Sequence, residues 1–414
     1  MKIKIALLFF TAALILISDV FSQQDSSDFK FITHKNKKDS TLLPFYTEQG
    51  DWFRNPEIPS FVFQGPDKKF SLGIGGFFNY TASYDFDGIS DNLDFVTYDI
   101  IVPNDTIQKS QFQMYANTSL LYFKVITKTS HGNLVGYVSA NFRGDGNNFN
   151  LYQMYIRYIG FDLGVDWSTF SDAASWPVTI NYVGLNSMSD ALSTLIRYSY
   201  KFANGWKFTL GVEQPEFNTA FTNTGSLKQT IPDIPAYLQY SFGNSHVRLS
   251  GLYRNLFYRD NISNADRTVT GTGISMTGNV EITKKAQIFF QGLYGKGIGK
   301  YVQDLSIDDL SVTPVSAHAG ELTALPVYAY YGALQYNFNS KFFTTIMYSQ
   351  LKVQPDNFYS PSSYSFARQF TGNFFWQFLP AANVGLEYNF GDRTNQNGQN
   401  SIANRVEFMM QYNF

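Results

Sequence analysis

Arg405-Val406-Glu407-Phe408-Met409-Met410-Gln411-Tyr412-Asn413-Phe414 is the stretch whose reading decides the fold. Val406, Phe408, Met410, Tyr412 and Phe414 share one side of a two-residue period, while Arg405, Glu407, Gln411 and Asn413 share the other with Met409. An apolar face backed by a charged one is what a strand presents when lipid lies outside and water inside. The same period recurs upstream. Phe70, Leu72, Ile74, Phe78, Tyr80 and Tyr84 alternate with Ser71, Gly73, Asn79, Thr81 and Ser83, and Trp206, Phe208, Leu210 and Val212 with Lys207, Thr209 and Glu213. Residues 133–143 and 383–390 follow suit, and helical spacing fits none of them well.

Composition agrees. Of 414 residues 18% are aromatic, with 40 Phe and 28 Tyr, but only 15% are charged. That low charge argues against disorder, a polar globular enzyme and nucleic-acid binding. A net charge of −2 gives no bulk attraction for polyanions, and zero Cys excludes thiolate metal sites and Cys nucleophiles. Residues 1–22 read as a secretory signal: Lys2 and Lys4, an apolar run from Ile5 to Ile17, then Val20 and Ser22 at the −3 and −1 positions. The run is too short to span a bilayer, and no long apolar stretch follows. With mean hydropathy of −0.19, a membrane-embedded chain of this kind is left with one solution, a closed β-barrel.

Turn residues set the organisation. Tight links are expected at Ser130–Asn133, Gly160, Ala203–Gly205, Gly243–Ser245, Thr283–Lys285, Asn337–Ser340 and Leu379–Ala382. Longer polar links are expected at 85–110, 144–149, 167–191, 214–234, 259–267, 296–322, 354–363 and 391–402. Short periplasmic turns alternating with longer outer loops characterise outer-membrane barrels. The expectation is an all-β, transmembrane antiparallel barrel over 70–414 with about sixteen strands, preceded by a short N-terminal periplasmic extension over 23–69. A terminal Phe414 resembles the signal that such proteins present to the barrel-assembly machinery.

A barrel of that size is wide enough for an aqueous channel, so transport is the default function. Strand parity puts Arg143, Lys207, Glu213, Arg248, Glu387, Arg405 and Glu407 on polar, inward faces. Arg143, Arg157, Arg197, Lys207 and Arg248 lie on nearby strands and suggest an electropositive wall selecting anions; the acids suggest, equally, ion pairs that merely brace the barrel. The loop after the fifth strand carries Trp167, Phe170 and Trp176, too many large aromatics for a solvated tip. It is expected to fold into the lumen and narrow it, or else to cap a subunit interface.

Leu134–Phe142, Leu151–Tyr158, the run Gly164-Val165-Asp166-Trp167-Ser168-Thr169-Phe170-Ser171-Asp172, the pair Arg197-Tyr198 and Glu213-Gln214-Pro215 together resemble the DcaP family of trimeric outer-membrane porins. The likeness covers 130–217, and a heptad-like N-terminus found in parts of that family is not visible in 23–69. It implies a sixteen-stranded homotrimer in a Gram-negative outer membrane, with a constricting third loop and a basic pore for small anions such as dicarboxylates. Asp166 and Asp172 join the pore-lining candidates by position.

Enzymatic chemistry finds no support. His34, His131, His246 and His318 are scattered and read as turn or surface residues. Asp304, Asp308 and Asp309 lack calcium-loop spacing and read as a solvated loop near lipopolysaccharide. Gly292–Gly299 lacks the Gly-Lys-Ser/Thr of a phosphate loop. No cofactor or metal is expected. A plugged channel for apolar ligands and a non-conducting surface barrel stand as alternatives to the diffusion porin.

Overall fold

The computed structural model describes residues 30–33, 59–89, 92–103, 110–219, 221–315, 318–354 and 360–414. The signal segment 1–22 and most of 23–69 lie outside these. Sixteen long strands form the wall: β1 (Phe70–Asp87), β2 (Leu120–Thr129), β3 (Gly132–Gly144), β4 (Asn148–Tyr158), β5 (Phe161–Trp167), β6 (Leu192–Ala203), β7 (Trp206–Glu213) and β8 (Ile234–Phe242). There follow β9 (Ser245–Asp260), β10 (Ala265–Thr283), β11 (Ala286–Lys296), β12 (Pro326–Asn337), β13 (Phe342–Val353), β14 (Tyr364–Leu379), β15 (Ala382–Asn395) and β16 (Asn400–Asn413). Each pairs antiparallel with the next, and β16 returns to β1 with Asn413 opposite Phe77 and Asn404 opposite Asp87. Closure leaves every strand edge paired, as a hydrocarbon surround requires.

Alternation explains the wall. Phe78, Ile156, Ile196 and Leu386, each more than half exposed, point outward to lipid. Thr81, Ser83, Thr209, Thr277, Gln369 and Asn389 point inward and are buried. Phe414 sits against the ring of Phe78, 4.9 Å between centroids, and exchanges backbone hydrogen bonds with Gly76, so the terminal residue locks the seam. Directly beneath it, Phe61–Gln64 continues the same edge, pairing from Phe61 opposite Ile74 to Gln64 opposite Ser71. The last residues of the expected extension are therefore part of the sheet.

The tight links fall where the turn residues indicated. The other rim is less uniform: β3–β4, β9–β10 and β15–β16 are joined through only 145–147, 261–264 and 396–399. Polar residues expected to be loop are strand here, because β9 and β10 run 16 and 19 residues and need only about ten to cross a bilayer. Beyond the hydrocarbon both faces meet water, so polar pairs cost nothing. Asp260 then closes the turn, accepting from the amides of Ile262 and Ser263 at 2.9 and 3.1 Å.

Segments of three longer outer links, 92–103, 168–191 and 297–315, fold into the barrel, while Gln111–Tyr115 of the first link pairs with β1 and extends the wall. Phe170 packs with Ile298, Tyr301, Val302 and Leu305 in one fully buried cluster, and Trp167, Trp176, Leu185 and Met188 pack with wall residues Phe289, Tyr331 and Met347 in another. The apolar core is therefore inside the lumen, between loops and wall.

Candidate functional site

The inward loop 168–191 is held at its root by β7. Glu213, 1% exposed, accepts from the Thr169 amide at 2.7 Å and the Ser168 hydroxyl at 3.1 Å. A side chain on neighbouring Gly211 would bring its Cβ within 2.5 Å of the Thr169 hydroxyl, so Gly is needed for that approach. Within β5, Gly164 has a φ of +139° and only 2.1 Å between a Cβ position and the Met154 carbonyl, so it admits no side chain. Further round, Asp172 accepts from the Thr277 hydroxyl at 2.6 Å, lies 2.7 Å from His246 and 3.2 Å from Arg248. Burial would raise the Asp172 carboxyl, but Arg248 and His246 outweigh it and hold the group well below the ordinary range. At the far wall Glu387 accepts three loop donors: the Thr179 hydroxyl at 2.7 Å and the amides of Ile180 and Asn181 at 2.8 and 2.9 Å. Trp167 and Trp176 meet edge-on at 4.6 Å, both buried. The loop thus crosses the lumen from β5 to β15 rather than capping an outer surface.

On the side that the loop leaves uncovered is a cavity of about 370 Å³. Its charged lining is Lys124 of β2, Arg157 of β4, Asp162 of β5, Arg197 of β6, Lys207 of β7 and Arg248 of β9, with Ser171 and Ala174 of the loop opposite. Two acids set the first pair of cations. Arg157 donates to Asp162 and Asp166, each at 2.7 Å; Arg197 donates to Asp162 at 2.7 Å and also to Asp166. Gln153 adds a 2.6 Å bond to Asp166, which is fully buried. A second pair centres on Tyr237: the Arg248 guanidinium stands 4.1 Å and the Lys207 ammonium 5.4 Å from its ring. Arg248 also donates to the Gln239 side chain at 2.8 Å and the Ser171 carbonyl at 2.8 Å. Among the described residues, Asp162, Asp166 and Asp172 pair with Arg157, Arg197 and Arg248, and Lys124 and Lys207 line the cavity beside them.

Placement of the other candidates differs. Arg143 stands apart, with its guanidinium 3.1 Å from Asp94 and stacked on Tyr182 at 4.2 Å. Glu213, Glu387, Arg405 and Glu407 face inward but are 0–1% exposed, consumed by loops or neighbours; Arg405 donates to Asp85 at 2.6 Å. His246, expected at a turn surface, is buried because the loop reaches down to it through Asp172; His131 and His318 are exposed, and His34 lies outside the described residues. Asp304, expected in a solvated loop, is buried where the three inward loops meet, accepting from Tyr364 at 3.1 Å and from Thr97. That burial raises its carboxyl to about 7 despite those hydroxyls. Lys124 and Asp162 were missed, although each shares the inward parity of its strand, Lys124 with Tyr122 and Ile126 and Asp162 with Asp166.

A sixteen-stranded closed wall with a loop folded across it is porin architecture, and the family comparison agrees: the porin subfamily model matches residues 98–411. The chain belongs to the porin subfamily. Its fold is similar to the outer membrane channel DcaP of Acinetobacter baumannii, with a TM-score of 0.74 at 19% identity over 83% of this chain and 97% of that one. An anion-selective porin from Comamonas acidovorans gives 0.55 at 10% identity over 83% and 100%. A trimer form of OmpT from Vibrio cholerae gives 0.51 at 13% over 83% and 99%. No curated protein matches. The porin is an outer-membrane channel protein of the Gram-negative type.

Proposed function

We propose that this porin passes small hydrophilic solutes by passive diffusion and prefers small anions such as dicarboxylates. One observation carries the reading: five cations, Lys124, Arg157, Arg197, Lys207 and Arg248, converge on one cavity. Four of them are grouped in two pairs, Arg157 with Arg197 around Asp162 and Lys207 with Arg248 around Tyr237. In a low-dielectric wall such charges act far more strongly than in water. A volume of about 370 Å³ lies at the small end of ligand sites, which run about 300–1,000 Å³. The anion-selective relative and the trimeric one support, by analogy of fold, anion preference and a homotrimer. Lipopolysaccharide around the barrel and recognition of Phe414 by the assembly machinery belong to the same reading.

Liposome swelling tests it. Reconstituted protein is expected to admit a four-carbon dicarboxylate faster than a neutral solute of equal size, and Lys207→Gln/Arg248→Gln is expected to abolish the difference. Equal rates in the unaltered protein overturn the preference; exclusion of both solutes overturns the open porin in favour of a non-conducting barrel.

A further inference from the structure

Two outward cations have no role in the wall or the lumen. Lys296 ends β11 and Lys352 lies one residue before the end of β13, both at the rim of the longer loops. They share the outward parity of Tyr294 and Tyr348, are exposed, and form no ion pair among the described residues. A comparable cation one strand on, Arg368 of β14, instead holds Asp392 at 2.8 Å. Strand β12 runs between the two lysines: Lys296 is opposite Pro326, and Lys352 opposite Tyr328. Two strand spacings and a two-residue offset along β12 separate their Cα positions, about 12 Å.

Both line an outward cavity of about 510 Å³, with Tyr294, Tyr328, Gln354 and Gln396 also in its lining. The two tyrosine rings lie 4.8 Å apart. Tyr294, Tyr328, Tyr330, Tyr348 and Tyr388 are outward and 40–44% exposed, forming the aromatic belt that marks the lipid–water boundary on this rim. The lysines stand just beyond that belt, at the depth of lipid headgroups, where long cationic side chains reach anionic groups.

We propose that Lys296 and Lys352 form a binding site for a phosphate-bearing glycolipid headgroup of the outer leaflet. Each ammonium takes a phosphate oxygen, the tyrosine pair supports the sugar frame, and the two glutamines hydrogen-bond its hydroxyls. This sharpens the lipid contact included above and rests on the outward orientation of the long-loop rim; it is independent of what the lumen selects.

Native mass spectrometry of the full-length protein in detergent, titrated with diphosphoryl lipid A, tests the site. Lys296→Gln/Lys352→Gln is expected to lower lipid retention about five- to tenfold, as two exposed charge pairs allow. Lys296→Arg/Lys352→Arg should retain it, and so should Lys285→Gln/Lys341→Gln at the opposite rim. Equal retention by the first variant, or equal binding of lipid A stripped of phosphate, overturns the proposal. Displacement of the lipid by millimolar inorganic phosphate, with the phosphate then held at the same lysines, assigns the site to free phosphate and overturns the lipid. Unchanged swelling rates in the glutamine variant would separate this result from any failure of the pore reading.

Discussion

The two halves of the barrel treat inward charge differently. Along β2–β9 Lys124, Arg157, Arg197, Lys207 and Arg248 face a cavity, whereas along β14–β16 Glu387, Arg405 and Glu407 are sealed beneath loops. Strand parity is identical in both halves. The difference comes from the inward links: 168–191 crosses to Glu387 of β15, and Asn92 and Leu93 of the first link take Arg405 of β16, so that wall becomes a docking surface. An inward charge in a barrel therefore has two fates, solute contact or loop anchor, and long-range packing decides between them.

The strongest way to break this comparison is Glu387→Ala. Thr179, Ile180 and Asn181 would each lose a buried acceptor, at about 1–3 kcal/mol per orphaned donor, so about 5 kcal/mol in all. The loop tip is expected to leave the far wall, and single-channel conductance should rise with added noise; an unchanged current would show that the anchor does not hold the loop. Arg197→Gln acts on the other half. It strands Asp162 and Asp166 with a single arginine, a loss of about 3–4 kcal/mol expected for a broken buried pair. A fall in the temperature of the heat-induced gel shift would register it.

The junction of the three inward loops should respond to pH. Asp304 is raised from 3.8 to about 7 by burial, with Asp99 adding to the rise and Arg393 opposing it. A carboxyl favoured in its protonated form contributes stability that is complete below about pH 4 and lost as pH rises through about 7. Protease access to 297–325 should therefore increase between pH 5 and 9, and Asp304→Asn should flatten the change. A flat profile in the unaltered protein would contradict it. The smallest effect expected is at the seam, where Phe414→Ala forfeits the ring pair with Phe78, about 1 kcal/mol. Urea midpoints of the folded barrel would measure that loss, and no shift would mean that the ring pair does not brace the seam.

Much of this was legible in the sequence for a physical reason. A strand between lipid and water must alternate, and a tight turn needs its few residue types, so β16 and links such as Ala203–Gly205 can be read locally. The crowded aromatics of Trp167–Trp176 likewise told that their loop is sheltered. The fates of Glu213, Glu387, His246 and Asp304 were not legible, because each depends on a partner more than 40 residues away. The short links at 261–264 and 396–399 were hidden for another reason: above the membrane a strand no longer has to alternate.

The central claim is that the cation-lined cavity governs which ions pass. Planar-bilayer recording in a salt gradient tests it most directly. The account predicts an anion-selective reversal potential, with steps in triplets, that moves toward zero in Lys207→Gln/Arg248→Gln. A cation-selective potential, or one unmoved by that double substitution, would contradict it.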